Sequence, residues 1–372
     1  MKVRPLLLCI LLMVLMQGYL LTAQEIKPHE VKRIMKKVAD WQINHFHDTY
    51  SGNKDPHNPK AWPNGALYIG MLKWAMVSDE DKYFQWLKEI GNTNKWKLHD
   101  RIYHADDHTV GQLYLSLYQK YKEKKMLKPT KRQFDYVLLH PAKTSLEWAS
   151  AYHQDRWNWC DALFMSPPVW AKLYNLTGDD KYLNFLMSEF KATTSFLFDD
   201  EESLFYRDES YMEKRDHGTK IFWSRGNGWV FAGLVNVMNE LKKETKEYKY
   251  FLRIYKKMAK KLIQIQTPEG HWPMSLLGEE FYPTPETSGT SFHIYGLAWG
   301  VNNQILDRSI YEPFLIKGWN SLVDHITDDG MLGYVQPIGA APGEAFADQT
   351  EVYGTGAFLC AGTEIYKLYA QP

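Results

Sequence analysis

"SDEDKYFQWL" at residues 78–87 and "TGDDKYLNFL" at residues 177–186 are two versions of one phrase: a short polar turn, then the opening of an amphipathic helix. Each follows an apolar stretch, 64–76 or 161–174, and starts a segment whose charges fall on one helical face. Extended along the chain, this alternation gives six amphipathic segments, 30–44, 81–90, 130–140, 180–198, 248–266 and 310–326. Six others are apolar nearly all round: 64–76, 108–121, 161–174, 227–241, 290–303 and 355–369. A helix with one wet face belongs on an outside, and a helix without one belongs within. The closed arrangement that satisfies both is an all-α (α/α)6 barrel, with six inner and six outer helices, each antiparallel to the one before it.

In such a barrel the two kinds of connection lie at opposite ends. Those leading from an inner to an outer helix are short, as in "VSDE" after Met76 and "NLTGD" after Tyr174. Those leading from an outer to an inner helix are all long and crowded with Trp, Tyr, His, Asp and Arg. Long loops gathered on a rigid scaffold are where function concentrates, so that end is expected to hold the site. No linker or charge block divides the chain, and residues 24–372 are read as one domain.

With 372 residues, 45% of them hydrophobic, the chain can bury a large core, and a formal net charge of zero gives no reason to expect a nucleic-acid partner. Residues 1–23 read as a secretory signal: Lys2 and Arg4, an apolar run over 6–21 broken by Gln17 and Gly18, then Thr22 and Ala23. The alternative is a short membrane anchor, but the small residues after the run favour cleavage near Ala23 and export to the periplasm or beyond. Cys9 falls inside that signal, which leaves Cys160 and Cys360, too few for a disulfide framework. Aromatic residues make up 15% of the chain, with 14 Trp and 24 Tyr, a surplus that suits either a sugar-binding cleft or a bulky helical core.

Within "RWNWCDALFMSPP", residues 156–168, Asp161 stands at the start of the third inner helix among rings and aliphatic side chains. Two effects oppose each other there. Helix amides stabilise its anion, whereas Trp159 and Phe164 remove its water. If desolvation prevails, Asp161 is a proton donor at neutral pH; otherwise it is a helix cap. "HADDHTVGQ", residues 104–112, brings Asp106 and Asp107 to the second inner helix and so to the same end. Paired carboxylates facing a cleft are what glycoside hydrolysis uses. His104 and His108, four residues apart and with His99 nearby, offer a metal reading, weakened by the want of a third ligand motif. "FWSRGNGWV", residues 222–230, places Arg225 between Trp223 and Trp229, able to hold a carboxylate against aromatic walls or simply to pack. His293, within a buried helix, is read as a core residue.

These segments resemble the unsaturated rhamnogalacturonyl hydrolases of glycoside hydrolase family 105. "WNWCDALFMSPP", "ADDHTVGQLYLSLY", "WSRGNGWV" and "ETSGTSFHIYGLAWGVNN" occur in family order across nearly all of the chain beyond the signal. The resemblance implies an (α/α)6 barrel without metal or other cofactor. It also implies a substrate left by a polysaccharide lyase, an oligosaccharide ending in a 4,5-unsaturated uronic acid from rhamnogalacturonan or ulvan, with the protein a monomer or homodimer. Asp161 then matches the general acid and base, and Asp107, ahead of Asp106, its carboxylate partner. Trp223, Arg225 and Trp229 match positions near the sugar, to which Trp62, His153 and Trp159 are added as substrate contacts. One departure concerns a histidine that some members carry before "RGNGW". Its counterpart here is Arg207, with His217 ten positions on, which opens the neighbouring sugar to choices other than rhamnose. The competing readings are a conventional inverting glycosidase using Asp161 and Asp107, a polysaccharide lyase using Tyr152 and His153, and a noncatalytic glycan-binding protein.

Overall fold

The computed structural model describes residues 26–50, 52–148 and 154–370. The expected signal, and His153 and Tyr152 with it, lie outside those residues.

The chain is an (α/α)6 barrel. Its outer helices are α1 (Pro28–Asn44), α3 (Asp81–Thr93), α6 (Lys124–Leu139), α9 (Asp180–Leu197), α11 (Lys246–Leu262) and α13 (Arg308–Asp324). The inner ring consists of α2 (Trp62–Ala75), the pair α4 (Ala105–His108) and α5 (Gly111–Tyr121), the pair α7 (Ala162–Met165) and α8 (Pro167–Thr177), then α10 (Ser224–Met238), α12 (Thr287–Asn302) and α14 (Val352–Ala370). Each inner helix packs on the next, and α14 returns to pack on α2 and α1, which closes the ring. The closure depends on two glycines. A Cβ on Gly70 would lie 2.1 Å from the Gly356 carbonyl oxygen, and one on Gly356 would lie 2.4 Å from that of Ala66, so α2 and α14 meet backbone to backbone.

The distinction between wet and dry helices has a direct physical outcome. Every residue of α10 is buried, whereas α11 buries only one stripe and carries lysines on the rest. Outer helices are tied along their polar faces, as where Lys36 reaches Glu80 and Lys82 reaches Asp40 between α1 and α3. Asp179, Thr245 and Asp307 cap α9, α11 and α13, each accepting a first-turn amide. Gly178, at φ 70°, ends α8 in the turn shared by the two opening phrases.

Two inner helices expected to be continuous are broken. After Met165 the Pro167–Pro168 pair restricts Ser166 and removes two amide donors, so a new helix starts at Pro167. After His108 the Thr109 hydroxyl bonds back to the Asp106 carbonyl at 2.7 Å, competing with the helical ladder. One outer helix begins well before its expected start, at Lys124, because Pro129 is accommodated within it near its N-terminus. The long segment between α9 and α10 also forms two small antiparallel ladders, β1 (Phe198–Asp199) with β2 (Leu204–Phe205) and β3 (Arg215–Asp216) with β4 (Thr219–Lys220).

Candidate active site

The polypeptide that precedes α7 runs beside the segment that follows β2. The Cys160 amide donates to the Arg207 carbonyl at 2.8 Å, and Trp159 pairs with Asp208 as an isolated bridge. That segment is in turn fixed to α10, because the Asn227 side chain donates to and accepts from the Phe205 backbone. Residues far apart in sequence are thereby locked around Asp161.

Asp161 occupies the N-cap position of α7 but makes no capping bond; one carboxylate oxygen accepts instead from the Cys160 thiol at 3.4 Å. The residue as a whole is half-buried. Loss of hydration raises its pKa above the ordinary carboxyl range, and the opposing charges of Arg207 and Arg225 do not cancel that effect.

Asp106 lies at the start of α4 with its side chain 18% exposed. Burial pushes its pKa to about 7, with the Asp161 and Asp107 charges adding to the rise. Beside it, burial lowers the His104 imidazole to about 4, so the ring is neutral at physiological pH. Its Nδ1 accepts the Asp106 amide at 3.3 Å, and Nε2 therefore carries the proton donated to Gln154 at 2.8 Å.

Asp107, placed ahead of Asp106 in the sequence reading, faces elsewhere. Its side chain is only 2% exposed and is held by the Arg101 guanidinium at 2.6 and 3.1 Å, the Arg101 amide at 2.7 Å and His99 at 3.0 Å. Burial works to raise its pKa, but the Arg101 hydrogen bonds outweigh burial and keep it below the ordinary value. The reason is local: consecutive residues at the start of a helix point in different directions, and one of the two must tie the 99–101 loop to α4.

His108 is likewise engaged at both nitrogens, accepting from Ser166 and donating to the Ile102 carbonyl, each at 2.8 Å. Among the described residues no three His, Cys, Asp or Glu side chains converge as a metal site. His293 is fully buried, as expected, with Nε2 3.2 Å from the Ser224 hydroxyl.

The aromatic residues separate by depth. Trp229 is 1% exposed and packs edge-to-face on Trp62 and against Phe164 and Phe292, so it is core beneath the site and not an open platform for a sugar. Trp62 is partly exposed and stacks on Tyr353. Trp159 and Trp223 are buried against His104 and Arg225 respectively. Arg225 acts electrostatically on Asp161, but its two terminal nitrogens donate to the Gln336 and Pro337 carbonyls at 2.7 and 2.8 Å, and its shielded Nε has no partner among the described residues. It holds protein backbone, where the sequence suggested a ligand carboxylate. His217 is exposed on the β3–β4 turn, bonded to Asp216 and stacked on Phe281, on a hairpin to which neither Asp161 nor Asp106 belongs.

Several residues went unread in the sequence. Gln336 accepts from Trp223 Nε1 at 2.8 Å and donates to the Ala341 carbonyl at 2.8 Å, while its own carbonyl receives Arg225 and Tyr353. Trp148 stacks on the Arg207 guanidinium at 4.3 Å, and buried Asp208 bonds that guanidinium at 2.5 Å. Nothing in spacing or composition marks Gln336 and Trp148, because their partners come from other loops.

The model of one family, described as Glycosyl Hydrolase Family 88, matches residues 34–369. The chain belongs to glycosyl hydrolase family 88. As a family 88 protein it is a glycoside hydrolase, which removes the noncatalytic reading. A protein of Alteromonas sp. (strain LOR), named an unsaturated 3S-rhamnoglycuronyl hydrolase, is 37% identical over 356 residues, covering 90% of this chain and 85% of the relative. A protein of Formosa agariphila with the same name is 35% identical over 372 residues, covering 97% of each. A solved structure named a polysaccharide lyase superposes with a TM-score of 0.82 at 31% identity, covering 93% of this chain and 99% of that one. A possible family 105 member from Salmonella enterica shares the fold at 17% identity, with a TM-score of 0.76 over 92% of this chain and 95% of the other.

Proposed function

We propose that this family 88 chain is an exported enzyme that removes a 4,5-unsaturated uronic acid from the non-reducing end of lyase-generated oligosaccharides. The observation that carries the reading is the pair Asp161 and Asp106, two electrostatically coupled residues at the loop-bearing end, each partly buried and each pushed toward the protonated state by loss of hydration. The relatives named unsaturated 3S-rhamnoglycuronyl hydrolases support the unsaturated uronate and favour rhamnose as its neighbour. Ulvan and rhamnogalacturonan are the parent polymers to test first.

Protonated Asp161 gives its proton to C4 of the sugar. The C4–C5 π electrons form the new C–H bond, and positive charge develops at C5, shared with the ring oxygen. The Asp161 carboxylate then accepts a proton from the water that attacks C5. The resulting hemiketal opens and expels the remaining sugar. One residue serves as acid and then base, and Asp106 sits beside it to orient water or the sugar. Turnover consumes the ultraviolet absorbance of the conjugated double bond. Asp161→Asn should lower kcat by about 10²–10⁴; wild-type turnover in that variant refutes the assignment.

The structural neighbour named a polysaccharide lyase suggests one further assay, for creation of the double bond beside its hydrolysis. An absorbance that rises on intact polysaccharide would reveal such an added activity.

A further inference from the structure

Three cations act electrostatically on the two site carboxylates: Arg207 and Arg225 on Asp161, and Arg101 and Arg207 on Asp106. Two of them are largely committed. Arg101 grips Asp107 through Nε and one terminal nitrogen, and Arg225, 1% exposed, spends both terminal nitrogens on backbone carbonyls, which leaves its shielded Nε alone without a partner among the described residues. Arg207 is less engaged. Only one terminal nitrogen is bonded, to Asp208, its face lies on Trp148, and its Nε, also shielded, has no hydrogen-bond partner among the described residues. A shielded N–H of a charged group left without an acceptor costs free energy, and sites built to receive a ligand are where such a cost is tolerated.

The position of this guanidinium is also fixed. Its backbone carbonyl accepts the Cys160 amide one residue before Asp161, and Asp208, 1% exposed, is itself held by the Ser210 amide at 2.8 Å. Stacking on Trp148 fixes the plane. A planar cation set beside two carboxyls, with donors to spare, suits an oxyanion bound between them, and arginine is the side chain that matches carboxylate or sulfate geometry.

We infer that Arg207, seated on Trp148 and Asp208, is the anion receptor of the active site and sets its preference for a negatively charged group on the substrate. The inference rests on the proposed hydrolase reading. That group is the uronate carboxylate itself or a sulfate ester on the adjoining sugar, and the chemistry of recognition is the same for both.

The test measures binding apart from turnover, in an Asp161→Asn background. Isothermal titration uses an unsaturated disaccharide as free acid and as methyl ester, and a sulfated disaccharide against its desulfated form. We expect one charged member to bind at least about tenfold more tightly than its neutral counterpart, a preference of about 1.4 kcal/mol. The pair that shows it identifies the source of the charge. Adding Arg207→Met should abolish that preference while leaving neutral-ligand binding within about twofold, and Arg207→Lys should keep most of it. Equal weakening of charged and neutral ligands, or a preference surviving in Arg207→Met, overturns the inference. So does the absence of any preference in the parent. If Arg207→Met does not fold, the Lys variant decides, since a purely structural arginine would lose both ligands alike. Turnover by the wild-type chain tests the hydrolase reading separately, so the two can fail independently.

Discussion

A carboxyl that must hold its proton near neutral pH needs little water and few donors, and Asp106 and Asp107 divide on that rule. Asp107 accepts three hydrogen bonds from Arg101, with His99 Nδ1 also 3.0 Å away, and among the described residues Asp106 accepts none from a cation. Asp106→Asn should therefore lower kcat/KM by at least about tenfold with little loss of stability. Asp107→Asn should cost about 2 kcal/mol in urea unfolding, with kcat less affected, because charge-assisted bonds are weakened. The pH dependence has a definite sign. Asp106 moves from 3.8 to about 7 on folding, so between those values the native state binds the extra proton and stability falls as pH rises. Comparing urea midpoints of wild type and Asp106→Asn at both ends of that window checks it: the variant should lose part of the slope. The sequence placed these residues at the right end of the barrel, but desolvation and partner choice separated them.

Among the elements, the long connection between α13 and α14 crosses the mouth of the barrel and is fastened at Gln336. Trp223, Arg225 and Tyr353 all converge there, and the Glu286 carboxylate, which caps α12, also accepts the Gln336 amide at 3.3 Å. Gln336→Ala leaves the buried Trp223 Nε1 without an acceptor and releases the tie to Ala341. The expected loss is about 1–3 kcal/mol of stability together with a raised KM, read from thermal unfolding and steady-state kinetics. An unchanged KM would mean that the connection does not shape the site. Periodicity disclosed each helix, yet it missed the breaks at Ser166 and Thr109 because these arise from a proline pair and from one hydroxyl that competes for a backbone carbonyl.

At the scale of the whole molecule, the ring closes only because α2 and α14 approach through Gly70 and Gly356. A methyl group on Gly70 would meet backbone, which cannot rotate away, so Gly70→Ala should destabilise by about 1–3 kcal/mol or more. A urea midpoint left unchanged by Gly70→Ala would argue against a closure role. What the sequence by itself determined was the alternation of wet and dry helices, and with it the barrel, the loop-bearing end and the presence of Asp161 there, since amphipathic periodicity is a local property of the chain. Only the tertiary structure decided which carboxyl stands beside Asp161, that Arg225 grips backbone, and that Gln336, Trp148 and Asp208 join the site. Those outcomes depend on which side chains from distant loops compete for the same donors and the same water, and that competition exists only once the ring has closed.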